Sequence, residues 1–273
     1  MSTSTYVETS NSAPAAAPRP RRPNVWLIVG AILTALVLIA GSLTVANWLG
    51  YRTETEQQTY QADGTDISLD IDMGDVIIRP GRPGVVTVTR QTSWSFQRPR
   101  IDERWDGRTL RITGSCPARP WAVLPCGATY TIEVPAEATV RARVSAGDIT
   151  VDDVRGGLDL TASLGDIQVT GAGGELRLHS SHGDVIASAI TADTVEASTV
   201  TGDVRLTLSA PPRTVSAQTT AGDVHVVVPR GETYRVEADA GVGDMAITVD
   251  QDVTSDRSIV ARTSAGDIDV RHG

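Results

Sequence analysis

Residues 140–151 read VRARVSAGDITV, and the pattern returns at 158–169 as LDLTASLGDIQV, at 215–226 as VSAQTTAGDVHV and at 259–270 as IVARTSAGDIDV. In each segment apolar or small residues stand seven, five and three places before a Gly-Asp pair, and again two and four places after the Gly. Alternation with a period of two on both sides of a turn is the mark of a half-buried strand, a tight turn and a second half-buried strand. Gly-Asp followed by an apolar residue occurs eight times, with the Asp at 75, 148, 166, 184, 203, 223, 244 and 267. After Asp148 the steps are 18, 18, 19, 20, 21 and 23 residues, yet the twelve-residue segment never changes length. All the drift lies in the connectors, from DDVRGG at 152–157 to TVDQDVTSDRS at 248–258. A fixed turn at one edge and elastic loops at the other is what stacked coils produce, because insertions then fall on one face. The expectation is an all-β, β-solenoid-like stack of Gly-Asp turn repeats over 139–273. An antiparallel sandwich of hairpins is the competing arrangement.

The turn residues have a physical role. Gly147, Gly165, Gly183, Gly202, Gly222, Gly243 and Gly266 can take a positive φ without steric penalty. The Asp that follows can cap a nearby backbone N–H in an Asx-type turn. A row of carboxylates at Asp148, Asp166, Asp184, Asp203 and Asp223 could instead hold calcium. The motif is not the glycine-rich nonapeptide of calcium-binding β-rolls, so turn chemistry is preferred and no metal or cofactor is expected.

Upstream, residues 60–138 are β-rich but less regular. TDISLDIDMGDVIIRPG (65–81) is one repeat unit. VVTVT, TLRIT and ATYTIEVP read as further strands, with WDGRT as a turn. This region is expected to cap the open end of the stack.

Residues 25–49, VWLIVGAILTALVLIAGSLTVANWL, contain no charged residue. The stretch exceeds a hydrocarbon core of roughly 30 Å and reads as a transmembrane helix. Trp26 lies near one end, with Trp48 and Tyr51 near the other, as interfacial aromatics do. Arg19, Arg21 and Arg22 precede the span, whereas Arg52 follows beside Glu54 and Glu56. The positive-inside rule then places the N-terminus in the cytoplasm and the C-terminal domain outside. A cleaved signal peptide is the competing reading, but its apolar run is usually only about 7–15 residues. Residues 1–24 are rich in Ser, Thr, Ala and Pro and read as a disordered tail; residues 50–59 read as a linker.

Composition narrows the chemistry. The net charge is −9, and because residues 1–52 hold four Arg against Glu8, the acid is concentrated in residues 53–273. An acidic domain is a poor nucleic-acid binder, since phosphate neutralisation supplies most of such binding. The chain contains no Lys, which removes Schiff-base chemistry and a P-loop. Cys116 and Cys126, on the extracytoplasmic side of the expected span, read as a disulfide. Ser180, Ser181 and His182 are adjacent. The slot of His182 holds Ala146, Leu164, Thr201 and Ala221 in other units, so it is a surface turn position rather than a catalytic one. No catalytic residue and no enzymatic activity is expected. Trp94, Phe96, Trp105 and Trp121 either pack a small core or form a carbohydrate-binding patch.

The recurring units Ser145–Val151, Thr220–Val226 and Ser264–Val270, with the preceding RITGSCPARPWAVLPCGATYTIEVP, resemble the bacterial adhesin-like domain family of β-repeat domains. The resemblance covers roughly residues 60–273. It implies a β-solenoid-like fold of undefined biochemical role, with relatives in envelope-stress loci. Two function classes follow. One is a membrane-anchored structural or interaction module at the bacterial cell envelope. Its partners would be the lipid bilayer, another envelope protein or a cell-surface polymer. The other is an accessory or sensor protein in an envelope-stress response that acts through a partner.

Overall fold

The computed structural model describes residues 25–61, 66–95, 98–106, 109–116 and 126–273. The chain divides into two units, Met1–Trp48 and Leu49–Gly273, each treated by itself. The expected tail, Phe96, Trp121 and part of the WDGRT turn lie outside the described residues.

Val25–Gly50 is a 26-residue α-helix, α1. Side chains along it are described at Trp26 and at 28–42, and all of these are exposed. Within the described residues no helix is long and apolar enough to cross a membrane.

The second unit is all-β. Among the described residues, 21 strands form one 11-stranded and one 10-stranded sheet. From Thr139 on, each repeat places its first strand in one sheet and its second in the other. Successive repeats pair in parallel, as in Leu158↔Leu176 and Ile167↔Val185. Parallel pairing excludes a sandwich of hairpins and gives stacked two-stranded coils. Alternate side chains point between the sheets, and Val140, Ala142, Ile149, Val151, Leu160 and Ile167 are completely buried there. Val, Ile, Leu and Ala suffice because the space between the sheets is thin and every inward position meets its counterpart one coil away.

The spatial order differs from chain order at both ends. Asp66–Met73 and Val76–Pro80 pair directly with Thr139–Ala146 and Ile149–Asp152, so the repeating stack begins at residue 66. On its outer side lies a coil made of Thr109–Ser115 and Cys126–Val134, in which the Cys116–Cys126 disulfide joins the two strands and Ala128 stands at the slot of the turn glycine. At the far end, Ser258–Ala265 and Ile268–His272 pair with Thr214–Ala221 and Val224–Val228. The coil that precedes them in sequence, Arg235–Val242 with Met245–Ile247, is pushed outward to become the last layer.

Of residues 50–59, read as a linker, Gly50 ends α1 and the others belong to the strand Tyr51–Gln61, which pairs antiparallel with Val85–Ser95. Its Thr, Glu and Gln content hides it from an apolar-alternation reading; an edge strand that buries little does not need that alternation. A second unforeseen strand, Arg100–Asp106, pairs antiparallel with Thr109–Ser115. Together these antiparallel strands cover the N-terminal end of the stack.

Candidate functional site

The Gly-Asp edge is built layer on layer. Each turn glycine has φ between +135° and +147°. A Cβ on Gly222 would lie 2.1 Å from the carbonyl oxygen of Gly202, so backbone contact as well as φ demands glycine. The Asp side chain caps the next coil rather than its own turn. The N–H of Asp166 donates to Asp148 Oδ1 at 2.9 Å, and that of Asp184 to Asp166 Oδ1 at 2.8 Å. The row starts at Asp75 and passes through Asp203, Asp223 and Asp267 to Asp244, with bonds of 2.8–3.1 Å. Arg205 donates to the second carboxylate oxygens of both Asp184 and Asp203. Each carboxylate from Asp75 to Asp267 therefore gives one oxygen to a backbone amide, and Asp184 and Asp203 give the second to a guanidinium. Among the described residues no group of three or more His, Cys, Asp or Glu is arranged to hold a metal ion.

A second row lies just inside. Ser180, Thr199, Thr219 and Thr263 are buried, and each hydroxyl donates at 2.9 Å to the carbonyl of the turn glycine one coil back. Sequence reading placed these four in an apolar register and missed their role. Hydroxyls recurring at one inward slot were the available signal. Ser180 is thus engaged with backbone and His182 is exposed, so the Ser-Ser-His run brings no base to a nucleophile.

The N-terminal cover holds the most densely charged cluster. Arg90 points inward from Val85–Ser95 and lies between Glu56 and Glu103, bonded to both. The hydroxyl of Tyr60 donates to Glu103 Oε2 at 2.8 Å. Burial, reinforced by that bond, pushes the Tyr60 phenol up to about 12. Tyr130, fully buried in the adjacent strand, is pushed up to about 12 mainly by desolvation. Its hydroxyl has no hydrogen-bond partner among the described residues. Gly114 leaves room for it, since a Cβ there would lie 2.9 Å from that oxygen. An open cleft of about 160 Å³ is lined by Glu54, Glu56, Arg90, Thr92, Arg98 and Ile101, among others. Its charged groups already pair with one another, Arg98 with Glu54 and Arg90 with Glu56, and Arg90 also reaches Glu103 outside the lining. No sequence signal pointed to this cluster, because its members lie 13 and 34 residues apart and meet only through the antiparallel cover.

The aromatics separate. Tyr60 and Trp105 stack with ring centroids 6.4 Å apart and pack against the core. Trp94 is partly exposed, with the Arg98 guanidinium 5.0 Å from its ring centre. These described aromatics do not form one exposed platform. The disulfide closes between Cys116 and Cys126, with the Cα atoms 6.0 Å apart.

No curated protein matches the chain. Among solved structures, the chain is similar to a candidate cell adhesion protein from Clostridium sporogenes, with 12% identity, a TM-score of 0.42, and coverage of 81% of this chain and 100% of that one. It is similar to a candidate adhesin from Bacteroides fragilis at 14% identity and TM-score 0.41, covering 81% and 97%. A candidate lipid-binding protein from Parabacteroides distasonis gives 13% identity and TM-score 0.44, covering 81% and 97%. A family model described as Toastrack DUF4097 matches residues 132–271. That match runs from the end of Cys126–Val134 into the last strand and takes in just over half of the 273 residues, and the chain belongs to the Toastrack DUF4097 family.

Proposed function

We propose that this protein is a non-enzymatic, adhesin-like interaction module anchored in the cell membrane by α1. In this reading the N-terminus is cytoplasmic and the β-domain lies outside, where it meets another envelope protein or a surface polymer. The observation that carries the reading is the sequence of residues 25–49, which holds no charged residue and is longer than a bilayer core of about 30 Å requires. Leu36, Val37, Leu38 and Ile39 occupy all sides of the helix and are each more than half exposed. A helix apolar on every side needs an apolar solvent. The arginines before α1 support the orientation. The disulfide fits an oxidising compartment.

Protease added to intact protoplasts is expected to remove the β-domain and spare the N-terminal tail. Recovery of a mature chain beginning near Asn47, or a β-domain protected until lysis, would overturn the topology. Crosslinked purification with and without residues 1–24 tests the role. Partners that persist without the tail support an interaction module, whereas tail-dependent partners would move the reading to an accessory or sensor protein.

A further inference from the structure

The last coil of the stack is unfinished in three respects. The first is its backbone. Arg235 N–H donates inward to Arg257 C=O at 2.9 Å, so the amides and carbonyls of Val236, Ala238 and Ala240 face the other way. In an inner coil the equivalent amide, that of Val140, bonds to Gly157 of the following coil. Arg235–Val242 ends its sheet and has no following strand. The second is its core. Val236, Ala238, Ala240 and Ile247 point inward but are only partly buried, Val242 is 74% exposed and Met245 is 54% exposed. The third is its charge. On the outer face of the same edge Glu237 lies 3.6 Å from Arg262 of the layer beneath, and Asp239 has no ion pair among the described residues. Asp244, the last member of the Asp row, accepts no hydrogen bond among the described residues.

A second copy of this chain is the simplest occupant, and the charges oppose it. The Tyr234 amide and carbonyl are already bonded to Asp250 and Asp252, so the free edge begins at Val236. The outward backbone groups are those of Val236, Ala238 and Ala240, since the Val242 carbonyl already accepts from Gly266. Two-fold antiparallel pairing that engages at least two of these residues on each copy about the middle of the edge centres on Ala238 or Asp239. Centring on Ala238 sets Glu237 opposite Asp239 twice, and centring on Asp239 sets that residue opposite itself. Like charges directly opposite destabilise a strand pair.

We propose that the Arg235–Val242 edge accepts an extended strand from a partner protein, with alternating basic and small apolar residues. The basic side chains meet Glu237 and Asp239, and the apolar ones complete the layer over Val236, Ala238 and Ala240. Strand addition of this kind takes affinity from the main chain and selectivity from alternate side chains. The inference supplies a partner chemistry for the interaction role proposed above and rests on that role, but not on the membrane topology.

The test uses the purified full chain in detergent micelles and a labelled synthetic peptide of alternating valine and arginine, with a scrambled peptide of equal charge. Ala238→Pro blocks the edge without removing an internal bond, because the amide of residue 238 faces outward. The wild type is expected to bind the alternating peptide and to prefer it to the scrambled one. Ala238→Pro should weaken binding at least tenfold with an unchanged melting temperature, and Glu237→Lys with Asp239→Lys should also weaken it at least tenfold. If Ala238→Pro fails to fold, the charge reversal decides by the same tenfold criterion. A smaller loss, equal binding of the scrambled peptide, no binding by the wild type, or a dimer that Ala238→Pro dissolves would each overturn the proposal. A failed topology experiment would leave this result untouched, since no membrane orientation enters it.

Discussion

The backbone N–H of Asp166 donates to Oδ1 of Asp148 at 2.9 Å, across 18 residues of sequence and one layer of the stack. The repeated Asp is therefore a joint between coils as well as a turn residue. Its removal is felt in the neighbouring coil.

Asp223 tests that joint, since its Oδ1 accepts the N–H of Asp267 at 2.8 Å. Asp223→Asn retains an acceptor oxygen and should change stability by no more than about 0.5 kcal/mol. Asp223→Ala should cost about 1 kcal/mol, the size of a lost cap. Calcium and chelator should give the same melting temperature. A calcium-dependent rise, with Asn as damaging as Ala, would instead indicate a cation site.

Gly222 and Gly231 separate steric conflict from backbone strain. Gly222 has φ +144° and a Cβ there would meet the Gly202 carbonyl at 2.1 Å, whereas Gly231 has φ +100° with nothing within 4 Å. Gly222→Ala should cost at least about 3 kcal/mol, and Gly231→Ala about 1 kcal/mol. Denaturant melts of both variants read the difference. Equal costs would mean that close stacking at the turn contributes nothing.

Cys116–Cys126 joins the two strands of the outermost coil at the N-terminal end. Replacing both by Ser should lower stability by about 2–3 kcal/mol, as expected for closing a short ring. Peptide mapping without reductant should recover the two cysteines joined. Two alkylatable thiols in freshly isolated protein would contradict the pairing.

The tyrosines predict a loss of stability in alkali. Tyr60 and Tyr130 are each pushed up to about 12 in the folded protein, above the ordinary phenol value of about 10. The folded state therefore holds these protons more tightly than the unfolded state. Their contribution is complete below about pH 10 and is lost as pH rises toward 12. Ultraviolet titration should show late-ionising phenols, and Tyr130→Phe should remove one of them and flatten the alkaline limb.

Much of the fold was legible because inward positions, turn glycine and connector each carry a separate sequence signal. Val140, Ala142 and Val144 before Gly147, then Ile149 and Val151, are inward residues that an alternating pattern identifies directly. The order of the last two coils carried no such signal. Both present the same alternation, and what separates them is how much burial each requires. Ile259, Ala261, Ile268 and Val270 are fully buried between two layers, while Val236, Ala238 and Ala240 accept an end position. The N-terminal cover was only half legible, since Tyr51–Gln61 and Arg100–Asp106 are polar edge strands without an apolar stripe. The Arg90 cluster depends on those strands and was invisible for the same reason. In the connector before Thr214–Ala221, Arg257 bonds the carbonyls of Pro211 and Pro212, a contact that no sequence pattern signals.

The inverted order of the final layers bears on how the domain is made and damaged. During synthesis Arg235–Ile247 emerges before its permanent neighbour exists, and the site on Thr214–Val228 is still vacant. Early docking there would have to be undone before Ser258–His272 could enter, so refolding should include a slow, concentration-independent phase that variants of the 248–257 segment alter. Proteolysis follows the same geometry. In a stack laid down in chain order, a nick near the end sheds only an outer leaf. Here a cut in 250–257 followed by loss of the downstream fragment would withdraw a middle leaf and leave the outer one without a seat.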